Sequence, residues 1–162
     1  MEALLAAQLS ARVAAVISNN AQARGLGIAR DRGIAVAAVD HRAFADRAAF
    51  DAALAAAIDR YRPDLVALAG FMRILTPSFI ERFSGRIMNI HPSLLPAFPG
   101  LHTHRRALEA GVRIHGCTAH FVASDLDSGP VIVQAAVPPN SPPRNPPRPA
   151  MTCSGTVGGS RS

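Results

Sequence analysis

Two side chains at the end of an apolar run have the chemistry of a reaction centre. The run 86–90 contains Asn89, and His91 follows it directly. Their i, i+2 spacing places both side chains on one face of a strand. An amide donor beside an imidazole can stabilise an oxygen that becomes negative during attack on a carbonyl, and the imidazole can also carry a proton. The commoner explanation of an isolated Asn-x-His pair is that the asparagine caps a turn and the histidine is an ordinary loop residue.

A second polar segment offers a partner for this imidazole. The loop 124–130 separates two apolar runs and carries Asp125 and Asp127. Asp127 is a candidate carboxylate for His91, since such a partner holds the tautomer of an imidazole. A solvated turn, in which both carboxylates bond to nearby backbone, explains the loop equally well.

The apolar and amphipathic runs predict which elements position these groups. Strands alternating with helices indicate an α/β fold with a doubly wound, mostly parallel sheet and helices on both faces. The run 65–69 is wholly apolar, so we expect burial on both of its faces. Residues 1–9 resemble the end of a helix with no strand before it. We predict strands at 12–18, 34–39, 65–69, 86–90, 117–122 and 131–137, and helices at 21–32, 47–61, 77–83 and 103–110.

Composition predicts one domain and excludes several classes of protein. The chain has 162 residues, 49% of them hydrophobic and 17% charged, which is typical of a globular protein. Residues 1–137 are predicted to form the domain. Seven of the 13 prolines follow residue 137, so we expect 138–162 to be a disordered tail. No run is long enough to span a membrane and no export signal is evident, so we expect a cytoplasmic protein that does not bind membranes.

The net charge of +6 does not predict nucleic-acid binding. All 17 basic residues are arginines, and only 14 of them lie in residues 1–137, against 11 acidic residues. They are scattered, with no aromatic residues interleaved among them. His102 and His104 lack a third ligand at a suitable spacing, so we expect no metal site. We give Cys117 a core role, and His115 and His120 structural roles.

Three segments carry a resemblance to a known family. They are NIHPSLLPAFPGLHTHRRALEAG, AGFMRILTP and HGCTAHFVASDLDSGPVIVQ. Together with the intervening sequence they resemble the phosphoribosylglycinamide formyltransferases over residues 3–137. That family uses 10-formyltetrahydrofolate to formylate glycinamide ribonucleotide in purine synthesis. The Asn-x-His-x-Ser-Leu-Leu-Pro core is shared with other 10-formyltetrahydrofolate enzymes, and the remaining segments are more specific.

The resemblance implies a role for each matching residue. Asn89, His91 and Asp127 match the catalytic amide, imidazole and carboxylate. The substrate amine would attack the formyl carbon while Asn89 and a protonated His91 stabilise the oxyanion, without a metal or a covalent enzyme intermediate. The residues that the resemblance assigns to the folate pocket are Arg47, Met72, Arg73, Ile74, Leu75, Asn89, Ala123, Ser124, Asp125, Leu126 and Asp127.

The chain also departs from the family pattern at both ends. Family members begin with a strand and a Gly/Ser/Asn-rich loop that holds the substrate phosphate, whereas this chain starts within the following helix. They also continue past residue 137 into an acidic loop and a long helix. We therefore expect a truncated member that folds poorly or binds glycinamide ribonucleotide weakly. The alternatives are 10-formyltetrahydrofolate hydrolase, methionyl-tRNA formyltransferase, which needs a second domain, and a non-catalytic folate-binding fragment.

Overall fold

Helices and strands alternate along the chain, as the sequence predicts. The computed structural model describes residues 5–6 and 10–137. Most of the predicted N-terminal helix segment and the whole predicted tail, 138–162, lie outside these residues. The elements are β1 (Ala15–Ser18), α1 (Arg24–Asp31), β2 (Ala35–Ala38), a 3-10 helix (His41–Ala43), α2 (Arg47–Asp59), β3 (Val66–Leu68), α3 (Pro77–Arg82), β4 (Ile87–His91), α4 (Thr103–Glu109), β5 (His115–Phe121) and β6 (Val131–Val137).

The strands form two sheets, a detail that the sequence did not predict. Strands β1 and β2 pair in parallel, and β3–β4–β5–β6 form a separate four-stranded sheet. In the larger sheet β3 and β4 are parallel, whereas β4–β5 and β5–β6 are antiparallel. The antiparallel β5–β6 pair follows from its short connection, because residues 122–130 contain no crossover helix. The α/β class is confirmed, with a mixed sheet arrangement.

One hydrophobic core joins the two sheets. Buried residues of α2, α3 and β4 form its centre, including Phe50, Phe79 and Ile87. Ile17 of β1 and Leu68 of β3 pack against the same cluster. On the opposite face of the smaller sheet, α1 and β1 contribute a second cluster of Val16, Leu26 and Ala29. The smaller sheet is therefore covered on both faces.

Strand β3 is less buried than its sequence predicts. Val66 and Leu68 contact the core, but Ala67 is exposed and the neighbouring Leu65 is 49% exposed. Successive side chains of a strand point to opposite faces, so only one face of β3 is covered within the described residues. The expectation of burial on both faces is wrong.

Local signals explain where α2 begins and which face it buries. The Asp46 side chain caps the helix by accepting a 2.8 Å hydrogen bond from Ala49 N. Phe50, Leu54 and Ile58 recur at helical spacing and are buried. The helix ends two residues earlier than predicted, at Asp59. No helix in the described part of the chain is long and apolar enough to cross a membrane.

Candidate active site

The sheet register places Asn89 and His91 beside two neighbouring strands. Asn89 lies opposite Leu68 of the parallel strand β3 and opposite His120 of the antiparallel strand β5. His91 is the last residue of β4 and pairs with Thr118. The segment that follows β3 therefore emerges at the edge of the sheet where the Asn-x-His pair lies.

His91 and Asp127 form a buried contact that is an ion pair when the imidazole is protonated. Nδ1 of His91 lies 3.4 Å from Oδ2 of Asp127, and the two side chains are only 6% and 8% exposed. On the other side of the ring, Nε2 lies 3.1 Å from the carbonyl oxygen of Phe98. Both neighbours are acceptors, so the doubly protonated imidazolium satisfies both contacts. The structure thus brings together the imidazole and carboxylate that the sequence paired.

The Asp127 carboxylate is held in place by the loop backbone. Asp127 has a left-handed φ of 52°, and its Oδ2 accepts a 2.8 Å hydrogen bond from Gly100 N. Two residues further, a Cβ at Gly129 would lie 1.8 Å from the carbonyl oxygen of Phe121. Only glycine allows this close approach of the loop to β5. The carboxylate is therefore fixed both by its own bond and by the path of the loop.

His120 belongs to this cluster, although only a structural role was predicted for it. Its side chain is 2% exposed, and its Nε2 lies 3.4 Å from Asn89 Nδ2 and 3.8 Å from Asp127 Oδ1. Its Nδ1 lies 2.9 Å from the carbonyl oxygen of Phe121. No local sequence signal reveals this position, because it depends on the antiparallel register of β4 and β5, which pairs His120 with Asn89.

The chain after His91 is stiffened by a network of buried hydrogen bonds as well as by prolines. Thr118 Oγ1 donates to the Ser93 carbonyl at 2.7 Å and accepts from Leu95 N at 3.0 Å. The Gln134 amide donates to both Thr118 Oγ1 and the Leu95 carbonyl. Ser93 Oγ in turn donates to the Ala97 carbonyl at 2.6 Å. Strands β5 and β6 thus hold the loop 92–100, which contains Pro92, Pro96 and Pro99, beside the site.

Of the predicted pocket residues after β3, Met72, Arg73 and Ile74 are exposed, whereas Leu75 is buried. Met72 and Ile74 are 70% and 62% exposed. Leu75 is buried in the hydrophobic core, so its side chain cannot line a pocket and only its backbone is available. The Arg73 guanidinium lies over the Phe50 ring, 5.4 Å from its centroid.

The remaining predicted pocket residues lie at the start of α2 and in the loop before Asp127. Arg47 is the first residue of α2 and is exposed. Ala123 is half-buried, whereas Ser124, Asp125 and Leu126 are exposed. The Leu126 side chain lies over Gly100, where an added Cβ would be 3.8 Å from it. The loop therefore presents Leu126 outward and Asp127 inward.

Two further histidines, His104 and His115, form a separate pair. His104 Nδ1 lies 3.1 Å from Nε2 of the buried His115. His102, which the sequence grouped with His104, is exposed and has a left-handed φ of 57°. Among the described residues, no group of three or more His, Cys, Asp or Glu side chains is arranged to hold a metal ion.

Comparison with known proteins identifies the family. Residues 1–140 match the model of the family described as formyl transferase. The chain belongs to the formyl transferase family. It is 55% identical over 131 residues to the phosphoribosylglycinamide formyltransferase of Escherichia coli (strain K12). The matched region covers 81% of this chain and 62% of that enzyme.

Solved structures of formyl transferases agree in fold. The crystal structure of phosphoribosylglycinamide formyltransferase from Brucella melitensis matches with a TM-score of 0.76 and 49% identity, over 85% of this chain and 70% of that chain. Glycinamide ribonucleotide transformylase 1 from Geobacillus kaustophilus matches with a TM-score of 0.79 and 36% identity, over 87% and 76% of the two chains. The chain thus shares the fold of these transferases while spanning under two thirds of the E. coli relative.

Proposed function

We propose that this chain transfers the formyl group of 10-formyltetrahydrofolate to the amine of glycinamide ribonucleotide, a step of purine synthesis. The observation that carries the proposal is the buried cluster of Asn89, His91 and Asp127 at the carboxyl end of β4, linked by His120. The similarity to enzymes named for this activity supports the choice of substrates. The proposed enzyme is cytoplasmic, acts on two small molecules and uses no metal ion.

The geometry suits stabilisation of a negatively charged oxygen. In the proposed reaction the amine nitrogen bonds to the formyl carbon, and the carbonyl oxygen becomes negative. Asn89 is half-buried, and one N–H of its amide faces His120, which leaves the other for this oxygen. A protonated His91 beside Asp127 would add a positive field at the same edge of the sheet.

Collapse of the tetrahedral intermediate completes the transfer. The bond between the formyl carbon and the folate nitrogen breaks, and a proton moves from the attacking amine to that nitrogen. His91 is the acid–base group of the cluster that could pass this proton, since an imidazole exchanges protons near neutral pH. In that role, Nε2 of His91 would leave the Phe98 carbonyl and contact a reacting group instead.

Exposed apolar side chains support the assignment of the folate site. Met72 and Ile74 extend from the segment after β3, and Leu126 extends from the loop that carries Asp127. Large apolar side chains exposed beside polar groups are typical of ligand sites. We assign the flat ring system of the folate to this apolar wall. Leu75 would contribute only through its backbone.

Formyl transfer by the purified 162-residue chain tests the proposal. The chain is incubated with 10-formyltetrahydrofolate, with and without glycinamide ribonucleotide, and tetrahydrofolate and formylated ribonucleotide are quantified by chromatography. We expect both products only when the ribonucleotide is present. Release of tetrahydrofolate without it would indicate the hydrolase, and folate binding with neither product would indicate a binding protein without turnover.

A matched pair of variants tests the role of the amide. Asn89→Asp preserves size but replaces the N–H donors with a carboxylate, so we expect kcat to fall about 100-fold or more. Asn20→Asp is the control, because the Asn20 side chain only accepts a hydrogen bond from Gln22 N, which a carboxylate also does. Equal activity of the two variants would contradict the assignment of Asn89.

A further inference from the structure

Residues 71–76, which lead from β3 to α3, have backbone–backbone hydrogen bonds only at their end, where the Thr76 carbonyl accepts from Phe79 N and Ile80 N. We call this segment the 71–76 loop. Among the described residues, no backbone–backbone hydrogen bond involves Met72, Arg73, Ile74 or Leu75. The loop nevertheless carries the exposed side chains of Met72 and Ile74. Side-chain contacts must therefore determine where these two residues lie.

Helix α2 supplies two of these contacts from adjacent residues. The Phe50 ring lies beneath the Arg73 guanidinium, and Oδ2 of Asp51 accepts a 2.6 Å hydrogen bond from Thr76 N. Leu75 is anchored in the core between them. The loop is thus attached at 71, 73, 75 and 76, and the side chains of Met72 and Ile74 are exposed.

The Asp51 contact differs from an ordinary helix surface interaction. Asp51 is only 3% exposed, and taking a carboxylate out of water is costly unless it is hydrogen-bonded. Its neighbours Phe50 and Leu54 are core residues. An apolar residue at position 51 would bury its side chain without this cost, but it would release Thr76 N. The buried carboxylate of Asp51 therefore lowers stability somewhat, but it fixes the end of the 71–76 loop.

We propose that Asp51 is a positioning residue for the folate wall: its bond to Thr76 N fixes the 71–76 loop so that Met72 and Ile74 present an ordered apolar surface. The inference rests on the proposed function, because the wall is assigned to the folate. Asp51 does not itself reach the reacting atoms. Its loss should weaken folate binding while leaving the Asn89, His91 and Asp127 cluster intact.

Three variants on α2 separate this role from general stability. Asp51→Ala removes the acceptor, and we expect the Kd of 10-formyltetrahydrofolate to rise about tenfold with kcat at saturation unchanged. Asp51→Asn retains an acceptor oxygen and should restore most of the affinity. Asp59→Ala is the control, because Asp59 bonds Arg82 and so links α2 to α3 away from the loop. It should leave the Kd unchanged.

A second route removes the donor instead of the acceptor. Thr76 has φ −73°, close to the angle that proline fixes, so Thr76→Pro deletes the N–H with little backbone strain. The double variant Asp51→Leu with Thr76→Pro removes both partners and leaves no unpaired polar group, so it should fold even if Asp51→Ala does not. It should show the same loss of folate affinity.

Amide hydrogen exchange measures the positioning without any ligand. We expect the Thr76 amide to exchange faster in Asp51→Ala than in the wild type and in Asp59→Ala. Unchanged exchange, or faster exchange with an unchanged folate Kd, would overturn the inference. If the wild-type chain binds no folate, the proposed function fails instead, and exchange at Thr76 alone decides whether Asp51 fixes the loop.

Discussion

Asn89 and His120 face each other across the antiparallel pair of β4 and β5, with Asn89 Nδ2 3.4 Å from His120 Nε2. The other ring nitrogen of His120, Nδ1, lies 2.9 Å from the Phe121 carbonyl oxygen and must donate to it. In the neutral ring, Nε2 is then an acceptor, which an amide N–H of Asn89 can satisfy. The backbone of β5 thereby sets the orientation of the proposed oxyanion donor.

Removing the His120 acceptor should impair turnover more than binding. In His120→Leu the Asn89 amide loses the partner that orients it, and we expect kcat to fall about tenfold. The folate Kd should stay within about twofold, because the apolar wall is untouched. Steady-state formyl transfer and equilibrium folate binding measure the two quantities separately.

A cysteine on the opposite face of the same strand is the control for this variant. Cys117 and His120 have opposite parity along β5, and Cys117 is half-buried. Cys117→Ala should leave kcat unchanged. If His120→Leu raises the folate Kd and leaves kcat intact, His120 does not act through Asn89.

The sequence was most informative where a signal is local. The bounds of β6 were predicted correctly, and α2 begins at the predicted Arg47 because Asp46 caps it. The contact of His120 with Asn89 could not be predicted in this way. It depends on antiparallel strand pairing between two residues that lie 31 positions apart in sequence. The division into two sheets likewise depends on long-range pairing, which periodicity does not encode.

The candidate site was likewise predicted in part. The sequence paired His91 with Asp127, and the structure brings them together. The burial of Leu75 beside the exposed residues 72–74 was not predicted, because a segment without secondary structure gives no period. Leu75 was therefore grouped with the outward-facing Met72, although its side chain packs in the core.

Two glycines should respond to alanine with opposite signs. A Cβ at Gly129 would collide with the Phe121 carbonyl, whereas Gly27 lies inside α1, with no atom of the described residues within 4 Å of the added Cβ. We expect Gly129→Ala to lower the free energy of unfolding by about 2 kcal/mol. Gly27→Ala should raise it by about 0.5–1 kcal/mol, since alanine favours a helix interior. Urea unfolding of both variants checks the two signs, and destabilisation by Gly27→Ala would contradict the helix assignment.

The hydroxyl group of Thr118 should contribute more to stability than the shape of its side chain does. Thr118→Val keeps the volume but leaves Leu95 N and the Ser93 carbonyl without a partner in a buried position. We expect the free energy of unfolding to fall by about 3 kcal/mol. Thr76→Val is the control, because the Thr76 hydroxyl bonds only the Ser78 hydroxyl at an exposed position. A loss below about 1 kcal/mol for Thr118→Val would show that the network contributes little.

The charge of Asp127 can be tested without disturbing its backbone. Asparagine also tolerates a left-handed φ, and its side-chain oxygen can still accept from Gly100 N, so Asp127→Asn should fold normally. It removes the negative charge that faces His91, and the imidazolium loses its ion-pair partner. We therefore expect kcat to fall about 100-fold. Asp31→Asn, which neutralises an exposed carboxylate on α1 outside the proposed site, should retain full activity. If both variants turn over at the wild-type rate, the ion pair is a structural contact and His91 works without it.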